Sequence, residues 1–478
     1  MDGYVEPMML IGGEWTRGSG APDPILDPAT EERIGSVPHA TDEEIDAALA
    51  AAQAGFETWR KLSPNERAKV MLGAADLLRD RSEEIARMLS LEQGKPLGEA
   101  RIEVVRAASL IEWDANEGRR VYGRILPGDG VANNFVIRQP IGVVAGFSPW
   151  NLPVTSATRK IGGALAAGCA IIIKGAEETP ASVAALVRCF ADSGLPSGVI
   201  NLLFGHPPQI SERLIASPVV RLLTFTGSIP VGKHLAQLCG RHMKPAIMEL
   251  GGHSPVIVCD DVDIARAAQA SAAAKFRNAG QICIAPTRFI VQEDAYDRFV
   301  ETFVEKAEGL KLGKGLEPGT QMGPLANDRR LAAMEALVTD ARSHGATVAA
   351  GGERRSNSGY FFAPTVLVDV PAEAKAMNEE PFGPVALISR FSTLDDAIGE
   401  ANRLSYGLAS YAFTNSAETA DLLAREVQCG IMTINHFTGV PPEGPFGGVK
   451  ESGYGREGGS ESLESFLVSK FVSHRLAC

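Results

Sequence analysis

Three residues of ordinary type stand where chemistry could be done. Cys283 follows Gly280 in the stretch FRNAGQICIAPTR. A helix running from about Asp263 to Asn278 should stop near that glycine and leave the thiol in the loop beyond, placed as a nucleophile. A free cysteine is also among the most buried and inert of side chains, so spacing alone leaves both roles open. Glu249 ends the apolar run AIMELGG, with two glycines behind it that allow close approach. It reads either as a general base or as a structural acid. Asn151, in FSPWNLP, has an amide that could donate to an oxyanion, or cap the helix that Pro153 opens.

A second group suits a cofactor. In IIIKGAEETP, Lys174 closes an apolar run and Glu177 follows three residues later, where an acid can chelate a ribose diol and repel a 2′-phosphate. In FTGSIPVG, Gly227 and Gly232 bracket a helix start whose amides could face a pyrophosphate. The dinucleotide fingerprint G-x-G-x-x-G is absent, and spacing alone gives a weak signal.

These residues need strands to hold them. Between Ile141 and Gly252 the runs IGVVAGF, CAIIIK, GVINLLF, RLLTFTG and AIMELGG start roughly 23 to 30 residues apart, the period of a strand plus a crossover helix. That predicts a parallel α/β sheet, whose ligands bind beyond the carboxyl ends of the strands. Residues 41–118 read as helices covering it, with Thr41 and Glu44 as a capping box. After Gly252 a second α/β pattern begins, with PVIVCDD, RFIVQED, APTVLVDV, PVALISRF and GIMTIN as strands. Residues 119–140 read as a projecting hairpin, with which LVSKFVSH near the C-terminus could pair.

Composition narrows the classes. A chain of 478 residues is expected to form two or three domains, and 45% hydrophobic with 22% charged residues is globular. A net charge of -12 without a basic cluster gives no footprint for nucleic acid. No apolar run approaches the ~20 residues of a membrane span, and the N-terminus lacks secretory features, so a cytoplasmic location is expected. Seven scattered cysteines without a C-x-x-C argue against a disulfide framework and a zinc site.

Taken together, MELGGHSP, FRNAGQICIAPTR, PWNLP, IIIKGAEETP, FTGS, NEEPFGPV and PFGGVKESG resemble, in order, the NAD(P)-dependent aldehyde dehydrogenase superfamily. The resemblance covers nearly the whole chain. It implies two parallel-sheet α/β domains, a Rossmann-like cofactor domain (1–118 and 141–251) and a catalytic domain (252–450). A small β hairpin for oligomerisation (119–140 with 460–478) would make a homodimer or homotetramer. Cys283 would be the nucleophile, Glu249 the base and Asn151 the oxyanion donor, with Glu457 helping to relay the proton. NAD, with NADP as the second possibility, would lie on Trp150, Lys174, Glu177, Gly205, Gly227, Ser228, Gly232, Glu380 and Phe382. No metal is required.

Substrate choice rests on Arg159, eight residues after Asn151, and Arg288, five after Cys283. Arginine forks suit carboxylates. Their positions and EQGKP (92–96) resemble the succinate-semialdehyde dehydrogenase branch, with Phe437 in the substrate pocket; structural ion pairs are the alternative. The chain departs from that branch at Ala285, where a second cysteine is expected, and at Val440 and Pro441. Other segments resemble 2-oxoglutarate-semialdehyde dehydrogenases. A short ω-oxo carboxylate is therefore the expected substrate; neutral aliphatic or aromatic aldehydes are the alternative, and a non-redox thiol hydrolase or acyltransferase is the rival class.

Overall fold

The computed structural model describes residues 4–128 and 132–475. The tip of the expected hairpin, 129–131, and the last three residues lie outside them.

Five of the predicted runs form the parallel centre of an eight-stranded sheet. Ala246–Glu249, Val220–Thr226, Val143–Phe147, Ala170–Lys174 and Ile200–Leu203 lie side by side in that order. Met9–Ile11 and Glu14–Thr16 extend one edge, and Gly453–Tyr454 pairs antiparallel at the other. Val143–Phe147 and Ala170–Lys174 are buried along their whole length, as strands covered by helices on both faces must be. The covering helices start on strong local signals: Thr41 with Glu44 and Ser63 with Glu66 make capping boxes for Asp42–Trp59 and Pro64–Asp80.

Leu250 to His253 pass directly to Ser254–Val258, a strand of a second, seven-stranded sheet. Its parallel ladder contains the five runs read from the sequence, and also Ala409–Phe413, which pairs with Ser254–Val258 and Ile431–Ile434. The connection brings the carboxyl edge of the first sheet close to the amino edge of the second. A third sheet consists of Arg124–Leu126, Asn133–Pro140 and Leu467–His474, the last two paired antiparallel over eight residues.

The helix Ile264–Lys275 ends earlier than predicted. Asn278, Ala279 and Gly280 have φ of 48°, 51° and 72°, three successive left-handed residues that reverse the chain. Asn278 is held there by side-chain bonds to Asn151 O and Gln281 O. At position 280 a Cβ would stand 2.1 Å from Gly383 O, so only glycine fits.

Candidate active site

A cavity of about 630 Å³ opens at the meeting edges of the two sheets. Three adjacent strands of the first sheet deliver residues to it from their carboxyl ends: Trp150 and Asn151, then Gly227 and Ser228, then Glu249. The second sheet brings Cys283, at the approach to strand Pro286–Gln292. Glu380, Phe382, Phe437, Glu457 and Arg159 complete the convergence of predicted residues.

The thiol sits on a tight turn closed by Ala285 N–H to Ile282 O at 2.8 Å. Tyr411 Oη fixes that turn through Ile284 O at 2.6 Å, and Asn151 Nδ2 fixes it through Gln281 O at 2.9 Å. One amide proton of Asn151 is thereby engaged, and its second remains for an oxyanion. Behind Asn151, the buried Lys95 donates to Asn151 O at 2.7 Å and pairs with Glu103 at 2.6 Å. Glu103 also accepts from Val154 N–H and Thr155 N–H, at the start of helix Pro153–Ala167. Glu92 likewise accepts from Ala181 N–H and Ser182 N–H, opening helix Pro180–Asp192. EQGKP, noticed only as a likeness, thus braces the site.

Burial and the carboxylates Glu380 and Glu249 push the Cys283 thiol up to about 12. Glu249 is raised well above an ordinary carboxyl by burial and by Glu457, and neither of its oxygens has a hydrogen-bond partner. A carboxyl so placed favours holding a proton, which is what a base needs once water enters. Glu457 pairs with the buried Lys160 at 2.7 Å, and Lys160 also donates to Thr226 Oγ1 at 2.6 Å. Lys160 went unnoticed in the sequence although it adjoins Arg159.

Glu380, raised to about 7 by burial, accepts from Gly252 N–H at 3.2 Å. A Cβ on Gly251 would lie 2.2 Å from Glu380 Oε2, so the glycines after Glu249 do serve close approach. Phe382 meets Trp150 edge-on at 5.5 Å and holds φ at 44°, a strained backbone for an aromatic residue. Ser228, the N-cap of helix Ile229–Arg241, makes no side-chain capping bond and lines the cavity with Ile229 and Pro230. A helix start without a side-chain cap, the carboxyl of Glu380 and two edge-on aromatic rings, all lining one cavity, fit a dinucleotide with its nicotinamide end near Cys283.

Lys174, Glu177, Gly205 and Gly232 are not among the residues lining this cavity. Lys174 and Glu177 form an ion pair after strand Ala170–Lys174, three strand positions, or about 14 Å, from the strand that ends at Glu249. Gly205 follows the next strand, and Gly232 packs against Leu250.

Arg288 is a correction. It is 2% exposed and does not line the cavity. Its guanidinium donates to His253 O, Glu400 O and Ala401 O and pairs with Glu400 Oε1 at 3.0 Å. The side chain closes the last turn of helix Leu394–Asn402, a structural role. In its place the structure brings Arg277, six residues before the thiol, and Arg106 to the cavity. Arg159 is 6% exposed, stacks over Phe446 at 4.7 Å and has an Nη1 without a partner.

The aldehyde dehydrogenase family model matches residues 15–472. The chain belongs to the aldehyde dehydrogenase family. It is an oxidoreductase acting on aldehydes. A 4-(hydroxymethyl)benzenesulfonate dehydrogenase of Comamonas testosteroni is 48% identical, with 98% of each chain covered. A succinate-semialdehyde dehydrogenase (NADP+) of Escherichia coli is 41% identical, covering 97% of this chain and 96% of that one. The NAD+ complex of a Bacillus cereus aldehyde dehydrogenase superposes with a TM-score of 0.97 at 34% identity, covering 99% and 97%.

Proposed function

We propose that this aldehyde dehydrogenase oxidises aldehydes carrying an acid group at the far end, short ω-oxo acids such as succinate semialdehyde or 2-oxoglutarate semialdehyde among them. The observation that carries the reading is Arg159, a guanidinium 6% exposed that lines the cavity holding Cys283 and has no ion pair among the described residues. A buried cation without a partner is costly, and an anionic substrate group supplies the partner. Both named relatives act on molecules with such a group, a sulfonate in one and a carboxylate in the other.

The chemistry follows from the chain's own groups. The Cys283 thiolate adds to the aldehyde carbon, and the oxyanion that forms accepts a hydrogen bond from the second N–H of the Asn151 amide, such a donor being worth roughly 3 to 4 kcal/mol. A bound nicotinamide dinucleotide would supply the hydride acceptor in this site, so that Cys283 would be left carrying a thioester. Glu249 then takes a proton from the water that cleaves that thioester, releasing the carboxylic acid and the thiol. Glu457, tied to Lys160, raises the proton affinity of Glu249 and can help pass the proton outward. Ser228 and the first turn of helix Ile229–Arg241 would hold the pyrophosphate, and Glu380 the nearer ribose. NAD is the preferred form in this reading, with Glu177 facing the adenosine ribose.

The test is kcat/KM by reduced-nicotinamide absorbance for succinate semialdehyde and for butanal, which has the same length without the acid. A preference of roughly tenfold or more for the acid is expected. Equal values would overturn the reading.

A further inference from the structure

Four guanidinium groups line the cavity; Arg330 donates to Pro381 O and lies over Phe382, and the other three are more than one carboxylate needs. Arg159 comes from helix Pro153–Ala167, Arg277 from the turn before Cys283, and Arg106 from helix Leu97–Glu117. Glu99, Ile102, Glu103 and Arg106 recur at helical spacing, so one face of that helix looks into the cavity. Arg106 is half-buried and anchored: Nη2 donates to Val440 O at 2.5 Å. At the neighbouring Gly439 a Cβ would lie 2.5 Å from Arg106 Nη1, so any other residue there would displace the guanidinium. Burial pushes Arg106 down to about 10, and the charges of Arg159 and Arg277 press the same way.

Two of the nearby carboxylates are already committed. Glu103 serves Lys95 and two helix amides, and Glu99 accepts from Asn278 N–H at 2.8 Å beside the charge of Arg277. Positive charge is therefore left over for a ligand. A carboxylate offers two coplanar oxygens, which one guanidinium fork satisfies. A sulfonate spreads the same single charge over three oxygens that point in different directions, and can take a donor from each of three arginines. Phe437 and Tyr411, 4.7 Å apart, add aromatic wall suited to a ring between the aldehyde and the anion.

We propose that Arg106 is a specificity-determining residue which, with Arg159 and Arg277, makes this cavity favour aldehydes bearing a sulfonate over those bearing a carboxylate on the same skeleton. The proposal rests on the reading that the far end of the substrate is anionic. The sulfonate is a handle; no bond to it forms or breaks.

The experiment compares kcat/KM for 4-formylbenzenesulfonate, 4-formylbenzoate and benzaldehyde in the wild type, R106Q and R106K. Wild type should prefer the sulfonate to the carboxylate by roughly tenfold or more, R106Q should bring that ratio near one, and R106K should retain part of it. A ratio taken within one preparation cancels any loss of folded enzyme. A wild-type ratio at or below one, or a ratio unchanged in R106Q, overturns the proposal. If neither anion outruns benzaldehyde, the acid-tail reading itself fails, which is a different result.

Discussion

Cys283 is poorly ionised, because burial and the charge of Glu380 disfavour its thiolate. A thiol raised to about 12 should react with iodoacetamide at a rate still climbing at pH 10. Glu380, near 7, is ionised over that range, so E380Q removes a negative charge and should quicken alkylation at pH 9 several-fold. The measurement is the alkylated fraction of the Cys283 peptide by mass spectrometry against time. A slower or unchanged rate in E380Q would show that this carboxylate does not hold the thiol back. Glu177 invites a parallel prediction. It lies paired with Lys174 outside the catalytic cavity. If it faces the adenosine ribose, E177Q should raise the ratio of kcat/KM with NADP to that with NAD by roughly tenfold. An unchanged ratio assigns it elsewhere.

At the scale of elements, Arg288 shows what chain spacing can and cannot say. Five residues from Cys283 it is near in sequence, but strand Pro286–Gln292 sends alternate side chains to opposite faces, and this one runs to helix Leu394–Asn402. R288A should therefore cost about 3–5 kcal/mol of stability in chemical denaturation, with no change in the ratio of kcat/KM for acid and neutral aldehydes. The bracing residues escaped the sequence for a related reason: Lys95 meets Asn151 across 56 positions, and Lys160 meets Glu457 across 297. Strand Ala409–Phe413 was missed because Ala409, Ser410 and Ala412 dilute its apolar run. What was legible is what recurs locally, namely the five-strand period, the Thr41–Glu44 capping box and the strand-end positions of Asn151, Gly227 and Glu249. Asp114, on helix Leu97–Glu117, is raised by burial from 3.8 to about 7 despite the bond from Ser462. Between those values the folded chain keeps a proton that the unfolded chain loses. This stabilisation is present at low pH and fades as pH rises through about 7. D114N should flatten part of that decline between pH 5 and pH 8 in denaturant midpoints; the wild-type slope retained in full would contradict it.

At the scale of the whole molecule, the third sheet stands apart from the two that make the cavity. Its strands expose Ile125 at 81% and Phe471 at 61%, apolar surface of the kind that pairing with another copy would cover. We propose a homo-oligomer built through this sheet, and F471D should lower the mass found by light scattering; an unchanged mass would place the contact elsewhere. The two larger sheets meet at the cavity: one brings Glu249, Asn151 and the start of helix Ile229–Arg241, which would serve as base, oxyanion donor and cofactor site, and the other brings the thiol. Under the proposed function Arg159 would decide which aldehyde is oxidised, and its substitution is the most direct test of the account. In R159A the kcat/KM ratio of succinate semialdehyde to butanal should fall at least tenfold from its wild-type value. A ratio left where the wild type has it would contradict the claim that this guanidinium receives the substrate's acid group.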